Sequence, residues 1–324
     1  VAIGTGALSA VVTTAANGTV AIGYKSLAAL TSGAGNTAIG YQSLLTVTGA
    51  GNTAIGYETG KLLLAASENV IIGYQAFDAA DGNEGQNVVI GAVAGGNIDD
   101  DASDSNVLIG WQAGLGGDAA LASCVVIGHS AMNGTADDAQ TGTVAIGATA
   151  LSALTSGAGN TAVGYQSMKE NTTGANNTVL GYAAMSDTSG EEGNLNVFIG
   201  KDSGGGQWAS NPAHYNVAVG ALTMDAAMNN AEYNTALGYQ ALSACTTGQH
   251  NTVIGSGAGT GMSTGYSNVF VGKNAGATSD APFNTMLGAY ADVDAAGDSH
   301  QVKIGSYGII KYKTARITIT AAHS

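Results

Sequence analysis

The chain has 324 residues, including 50 Gly and 2 Pro, and its 23 acidic against 9 basic residues give a net charge of −14. Collagen needs Gly at every third position with abundant Pro, and a disordered acidic segment would not be 45% hydrophobic, so both classes are excluded. The acidic balance argues against nucleic-acid phosphates and anionic membrane surfaces as partners, and no run approaches the roughly 18 apolar residues of a membrane-spanning helix. We therefore expect no nucleic-acid partner and no membrane insertion.

An internal repeat covers nearly the whole chain, because an aliphatic residue followed by Gly recurs eighteen times at intervals of 16 to 20 residues. We number each repeat from this Gly as position 0. Position −3 is Val or Thr and position −1 is Ile, Val or Leu in every copy, whereas position −2 is apolar in all but one. Position +4 is usually Leu, Met, Phe or Gly, and position +1 is often Tyr. The position-0 residues are Gly4, Gly23, Gly40, Gly56, Gly73, Gly91, Gly110, Gly128, Gly147, Gly164, Gly181, Gly200, Gly220, Gly238, Gly255, Gly272, Gly288 and Gly305.

Positions −3 to −1 read as a short strand, because β-branched residues favour extended backbone and side chains alternate between faces. We predict that positions −3 and −1 line the interior of each coil. The core residues predicted in this way are Ile22, Ile39, Ile55, Ile72, Ile90, Ile109, Ile127 and Ile146. The −2 row then faces outward, and because it is apolar we expect other copies of the chain to cover it. The residues predicted for this trimer interface are Ile71, Val89, Leu108, Val126, Val179, Phe198, Val253, Phe270 and Met286.

The predicted fold is all-β, a parallel β-solenoid (a β-roll) of about 18 coils, each with one regular strand and a shorter one near positions +2 to +4. A helical solenoid is disfavoured because too many Gly would fall inside its helices, and a three-faced hexapeptide helix because no apolar pattern recurs every six residues. Asn occupies position −4 in most copies, which predicts a hydrogen-bonded ladder along the coils. Since so thin a roll buries little by itself, we predict a parallel homotrimer.

The motif NTAIGYQSL at residues 36–44 resembles repeats of trimeric phage tail-fibre and related virion fibre proteins. It is also similar to the N-S-V-A-I-G repeats of trimeric autotransporter adhesin heads, which are left-handed parallel β-rolls with shorter coils than these. The resemblance implies a left-handed, trimeric phage fibre shaft located in the virion, which presents a receptor-binding region for host attachment. A bacterial surface adhesin head and a self-assembling extracellular filament remain the alternatives.

We expect two regions, a repetitive shaft over residues 1–305 and a cap or the start of a following domain over residues 306–324. The second region holds Lys311, Lys313 and Arg316, and it is preceded by Lys303, so basic residues concentrate near this end. Its strand-like alternation from Ile317 to Thr320 is also compatible with a nineteenth, irregular coil. Residues 300–324 loosely resemble the exit from a fibre shaft into a further domain. Because the chain opens with Val1 in patterned sequence, we expect it to come from a longer or processed product.

The sequence indicates no catalytic, cofactor or metal site, and we expect no enzymatic activity. Asp78, Asp81, Asn83 and Glu84 around Gly82 are the nearest approach to a calcium loop, and we interpret them as solvated loop side chains. Cys124 and Cys245 lie six coils apart, about 29 Å along the solenoid at about 4.8 Å per coil, which is too far for an intrachain disulfide.

The longest repeat, residues 200–220, supplies the candidate contacts for a host receptor or glycan, namely Trp208, His214 and Tyr215. An exposed Trp beside a Tyr could stack on sugar faces, but packing of Trp208 against the shaft is the favoured interpretation. We interpret the Tyr side chains at position +1 as packing too. An ice-binding surface is disfavoured, because the Thr residues at position −3 are predicted to be buried.

Overall fold

The computed structural model describes residues 1–10, 16–117, 119–135, 138–188, 193–208 and 211–305. Over these residues the chain is a parallel β-solenoid without an α-helix, and it therefore offers no helix long and apolar enough to cross a membrane. The all-β, parallel solenoid prediction is confirmed. The predicted cap or following domain at residues 306–324 lies outside the described residues.

Each coil contributes one strand to a long sheet, and in nearly every coil this strand comprises positions −3 to −1. The strands of the described residues are β1 Ala2–Ile3, β2 Val20–Ile22, β3 Thr37–Ile39, β4 Thr53–Ile55, β5 Val70–Ile72, β6 Val88–Ile90, β7 Val107–Ile109, β8 Leu121–Ala122, β9 Val125–Ile127, β10 Gln140–Thr141, β11 Val144–Ile146, β12 Thr161–Val163, β13 Thr178–Leu180, β14 Val197–Ile199, β15 Val217–Val219, β16 Thr235–Leu237, β17 Thr252–Ile254, β18 Val269–Val271, β19 Thr285–Leu287 and β20 Val302–Ile304.

Eighteen of these strands form one continuous parallel sheet, and the two-residue strands β8 and β10 pair separately in parallel. Every strand of the long sheet pairs with the same positions of the next coil, as Val88 pairs with Val107 and Ile90 with Ile109. The repeat therefore sets the register, and each position of the repeat becomes a row of side chains running along the solenoid.

The predicted assignment of the two strand faces is wrong. Position −2 points into the coil, and positions −3 and −1 point outward. The nine residues predicted for the trimer interface are each 0% exposed in the single chain: Ile71, Val89, Leu108, Val126, Val179, Phe198, Val253, Phe270 and Met286. The eight predicted core residues all retain exposure on the outer side: Ile22, Ile39, Ile55, Ile72, Ile90, Ile109, Ile127 and Ile146.

The interior is narrow, and positions −2 and +4 share it. In most coils with Ala at position −2, such as Ala21, position +4 is a large residue such as Leu27. Where position −2 is Phe198, position +4 is Gly204, and an ideal Cβ there would lie 2.7 Å from the phenyl ring. The exception, Gly60, lies beside Ile71 of the next coil, whose Cδ1 would be 3.0 Å from an ideal Cβ. Positions −3 and −1 hardly vary in size along the chain and show no such relation to position +4, as expected for side chains outside this closed space.

The predicted second strand near positions +2 to +4 is replaced by a turn. Residues at +2 and +4 adopt left-handed backbone, as in Gln42 with φ 52° and Leu44 with φ 48°, which excludes strand geometry. Hydrogen bonds between coils nevertheless continue through the turn, since the Gln42 N–H donates to Tyr24 O at 2.8 Å and the Leu27 N–H donates to Ser43 O at 3.1 Å. Each coil is thus tied to its neighbours well beyond the strand.

The predicted Asn ladder at position −4 is confirmed. The side chain of Asn216 is buried, its Nδ2 donates to Asn196 Oδ1 at 3.2 Å and to Ala231 O at 2.8 Å, and its Oδ1 accepts from both the N–H and the Nδ2 of Asn234 at 3.1 Å. One amide therefore links its own coil to both neighbouring coils and also bridges the width of the interior.

Candidate functional site

The outward side of the long sheet forms a flat apolar surface, which we call the outer sheet face and define as positions −3 and −1 of all coils. It contains only Val, Thr, Ile and Leu and therefore no charged side chain. Its residues keep substantial exposure, 38% for Ile55, 47% for Leu180 and 45% for Leu237. With strands about 4.8 Å apart, the face is about 80 Å long. A charge-free surface of this length is suited to protein contact.

Aromatic side chains border one edge of this face at position +1, which we call the +1 row. Tyr24, Tyr41, Tyr57 and Tyr74 stack in succession with ring centroids 5.2, 4.9 and 5.4 Å apart, and they are 40–53% exposed. Further pairs stack in the same row at 4.7 Å and 5.2 Å, Trp111 with His129 and Tyr165 with Tyr182. The Tyr side chains at position +1 were predicted to pack, and in the structure they stack along the row on the outside of the solenoid.

The opposite edge of the outer sheet face is position −5, which we call the −5 row. In the second half of the chain it carries Tyr215, Tyr233 and His250, whose rings stack at 4.9 Å and 4.9 Å and lie within 5° of parallel. Phe283 and His300 continue the row with ring centroids 4.9 Å apart. In several earlier coils the row carries Gly.

The three predicted receptor contacts do not form one surface. Trp208 is only 2% exposed, its Nε1 donates to Gly204 O at 3.1 Å, and its ring meets Phe198 edge-on at 6.1 Å, so it packs into the shaft. The half-buried His214 accepts a hydrogen bond from the Asn194 N–H at 3.0 Å through Nδ1. Tyr215 alone is well exposed, at 47%.

The structure instead joins Tyr215 to Tyr233 and His250, residues that the sequence-based interpretation missed. They lie 17 to 18 residues apart and share position −5, so an alignment of the coils would have placed them in one row. The exposed rings form a continuous aromatic surface on which planar or sugar ligands could stack.

The acidic loops are more ordered than the prediction of solvated side chains implied. Asp104 Oδ1 accepts the Gly85 N–H at 2.6 Å, and Asp101 Oδ1 accepts the Asn83 N–H at 3.0 Å, so these carboxylates tie neighbouring coils together. Glu84 is fully buried, with one carboxylate oxygen accepting the Gly82 N–H at 3.1 Å, and burial raises the pKa of its carboxyl group. Among the described residues, no three His, Cys, Asp or Glu side chains gather as a metal site.

Both cysteines are free and buried. Burial raises the pKa of the Cys245 thiol to about 12 and also raises that of Cys124. Since the thiolate is the reactive form, the folded chain holds both side chains as inert apolar groups.

Comparison with known proteins gave no match to a family model, to a curated protein or to a solved structure.

Proposed function

We propose that the chain is the shaft of a bacteriophage tail or head fibre, a parallel homotrimer that presents a receptor-binding region for host attachment. The observation that carries the proposal is the outer sheet face, which is apolar, uncharged and continuous over all eighteen strands of the long sheet. The proposed homotrimer has positions −3 and −1 as its interface, in place of the buried position −2.

The size and chemistry of the outer sheet face favour association with copies of the same chain. A length of about 80 Å and a width of about 10 Å for three strand residues give about 800 Å² per chain, the area of an ordinary stable interface. Covering it desolvates no charged group, and its strand N–H and C=O groups already pair along the sheet. Burial of this face therefore adds hydrophobic stabilisation, which is offset in part where Thr hydroxyl groups at position −3 lose water.

The resemblance of residues 36–44 to phage fibre repeats supports the virion as the location, and left-handed winding of the coils belongs to the same proposal. A straight solenoid with identical contacts from coil to coil is mechanically suited to hold a binding region at a distance. We assign the shaft no catalytic role.

Sedimentation equilibrium of the purified chain, with negative-stain images of the same sample, tests the assembly. We expect a three-chain mass and straight rods about 80 Å long. Ile109→Glu places a charge on the outer sheet face and should yield folded monomers, whereas Leu64→Glu, at a 50% exposed loop position, should leave the mass unchanged. A wild-type chain that sediments as a folded monomer at micromolar concentration refutes the proposal.

The bacterial adhesin remains the second candidate, and the exposed Tyr215, Tyr233 and His250 rings favour it, since they offer a direct binding surface. Immunogold labelling with an antibody against the shaft separates the two. Label along fibres of virions supports the phage assignment, and label on bacterial surfaces supports the adhesin.

Ice binding also becomes testable, because the premise that excluded it is wrong. The Thr residues at position −3 lie on the outside, on a regular face with strands about 4.8 Å apart. A thermal-hysteresis assay decides this point. We expect none from the trimer, because the partner chains cover the face.

A further inference from the structure

The two borders of the outer sheet face are both on the outside of the coil. Positions −5, −3, −1 and +1 are exposed or half-buried, whereas positions −4 and −2 are buried in all but the terminal coils. Within the described residues, no ring contact joins the +1 row to the −5 row. Packing inside one chain therefore does not make the residue at one border depend on the residue at the other.

The two rows nevertheless vary reciprocally in size. Gly at −5 accompanies Tyr at +1 in four coils, and a ring at −5 accompanies Ala or Ser at +1 in four others. Ser at −5 accompanies Trp, His or Lys at +1 in three more coils, and Gln accompanies Ala in one. Five coils depart from the rule, four with a larger residue at both positions and one with a small residue at both. The pairs of the first two kinds are Gly18 with Tyr24, Gly35 with Tyr41, Gly51 with Tyr57, Gly159 with Tyr165, Tyr215 with Ala221, His250 with Ser256, Phe283 with Ala289, and His300 with Ser306; the departures are Glu68 with Tyr74, Asn176 with Tyr182, Leu195 with Lys201, Tyr233 with Tyr239, and Gly142 with Ala148.

The chain itself leaves room for a side chain at Gly35 of the −5 row, whereas a Cβ on Gly159 would lie 2.7 Å from the Asn176 Oδ1 of the next coil. An ideal Cβ on Gly35 meets nothing within 4 Å. Its φ of 71° is close to the 58° of Tyr215 and the 57° of Tyr233, which occupy the same row with large rings. Neither a clash nor the backbone geometry within the chain excludes a larger residue at Gly35. A neighbouring molecule that occupies the space above Gly35 would account for the glycine.

The symmetry of a parallel assembly brings the two rows together. A threefold axis along the solenoid arranges the chains in the same sense around it, so the +1 border of one chain meets the −5 border of its neighbour at the level of the same coil. An axis across the solenoid would place each row against itself and would pair different coils. Reciprocity within single coils therefore favours the axis along the solenoid.

We propose that each +1 ring packs against the −5 residue of the same coil in the adjacent chain. This inference rests on the homotrimer of the proposed function and adds to it the contact that fixes the register of the chains. The partner is a second copy of this chain, and the tyrosine ring covers the open space above a glycine such as Gly35.

Exchanging the two residues of one coil tests the contact. Gly35→Tyr adds a ring where the adjacent chain's Tyr41 ring is expected, and it should raise the trimer dissociation constant about tenfold or more, as overpacking does elsewhere. The double variant Gly35→Tyr with Tyr41→Ala copies the arrangement of Tyr215 and Ala221, and it should recover most of the loss. Sedimentation equilibrium measures the association, and circular dichroism at low concentration confirms that each variant chain is folded.

The outcomes separate this contact from the assembly itself. The wild type, the two single variants Gly35→Tyr and Tyr41→Ala, and the double variant are compared by their trimer dissociation constants. If the wild type is a trimer and the double variant loses as much affinity as the two single variants together, the border contact is wrong and the homotrimer stands. If the wild type is a folded monomer, both proposals fall. A coil with Tyr at both positions gives an independent test. Tyr239→Ala should relieve crowding against Tyr233 of the adjacent chain and so lower the trimer dissociation constant.

Discussion

The reciprocal filling of the interior by positions −2 and +4 leads to a sharp prediction at Phe270 and Gly276. Phe270 is fully buried, and a Cβ built on Gly276 falls against its ring. Two coils earlier, Ala236 lies in the −2 row and Leu242 at +4, both fully buried, and the φ of Leu242 (56°) is close to that of Gly276 (61°). The double variant Phe270→Ala with Gly276→Leu should therefore convert one observed arrangement into the other.

The magnitudes follow from cavity formation and overpacking. Phe270→Ala alone should lower the free energy of unfolding by about 3–5 kcal/mol, and Gly276→Leu alone by about 1–3 kcal/mol. The double variant should lose at most about 2 kcal/mol, which corresponds to a coupling energy of at least about 2 kcal/mol. Because coils can unfold locally, urea unfolding followed by circular dichroism should be paired with hydrogen exchange at the amides of neighbouring coils.

Strictly additive single effects, or a loss below about 1 kcal/mol for Phe270→Ala, would contradict this account, since an outward-facing Phe270 has no steric relation to Gly276.

Three further predictions concern the ladder, the turn and the buried acid. Asn216→Ala should cost about 3 kcal/mol or more, because it leaves buried donors and an acceptor in three coils unpaired, whereas Asn97→Ala, at an exposed position, should cost under about 0.5 kcal/mol; urea unfolding measures both. Gly238→Ala should prevent folding or cost about 3 kcal/mol or more, since its Cβ would lie 2.7 Å from the backbone of the next coil at a φ of 134°, whereas Gly297→Ala, with open space around it, should change the melting temperature little. Because the raised pKa of Glu84 means that the folded state binds its proton more tightly than the unfolded state, stability should fall as pH rises above about 4.3, and Glu84→Gln should increase stability at pH 7 while leaving it unchanged at pH 3; the opposite sign would refute the assignment of desolvation as the cause.

The repeat made the architecture predictable, because a period of 16 to 20 residues with β-branched positions requires each coil to pair with the next. The orientation of the strand was not predictable from alternation alone, since both faces of the strand are apolar. The signal that decides the orientation is the relation between the residue sizes at two positions of one coil. Ala218 occurs with Met224 and Phe198 with Gly204, and rows whose sizes compensate one another in most coils are expected to share a closed space.

The predicted receptor contacts also show that a residue considered by itself does not reveal on which side of the coil it lies. Trp208 attracted attention because Trp is rare in this chain, yet it lies in a loop that folds inward and fills space beside Phe198. Tyr233 and His250 are ordinary members of their loops when read along the sequence, and they become a site only when the solenoid stacks them. Rarity of a residue therefore says less here than its row, because the row fixes the side of the coil on which it lies.

The corrected face assignment also changes the reason for expecting an assembly. With position −2 inside, each coil has its own core, so a single chain holds a closed interior and partners are not required to cover it. Association of chains would instead bury the outer sheet face, formed by positions −3 and −1 and bordered by the rings of the +1 and −5 rows. In the last described coil position −2 is polar, because Lys303 occupies it and its Nζ donates to Asp292 O at 2.6 Å and to Asp294 Oδ1 at 3.0 Å. Positions −3 and −1 of the same coil remain apolar, with Val302 and Ile304, so the interior row and the proposed interface vary independently within the repeat.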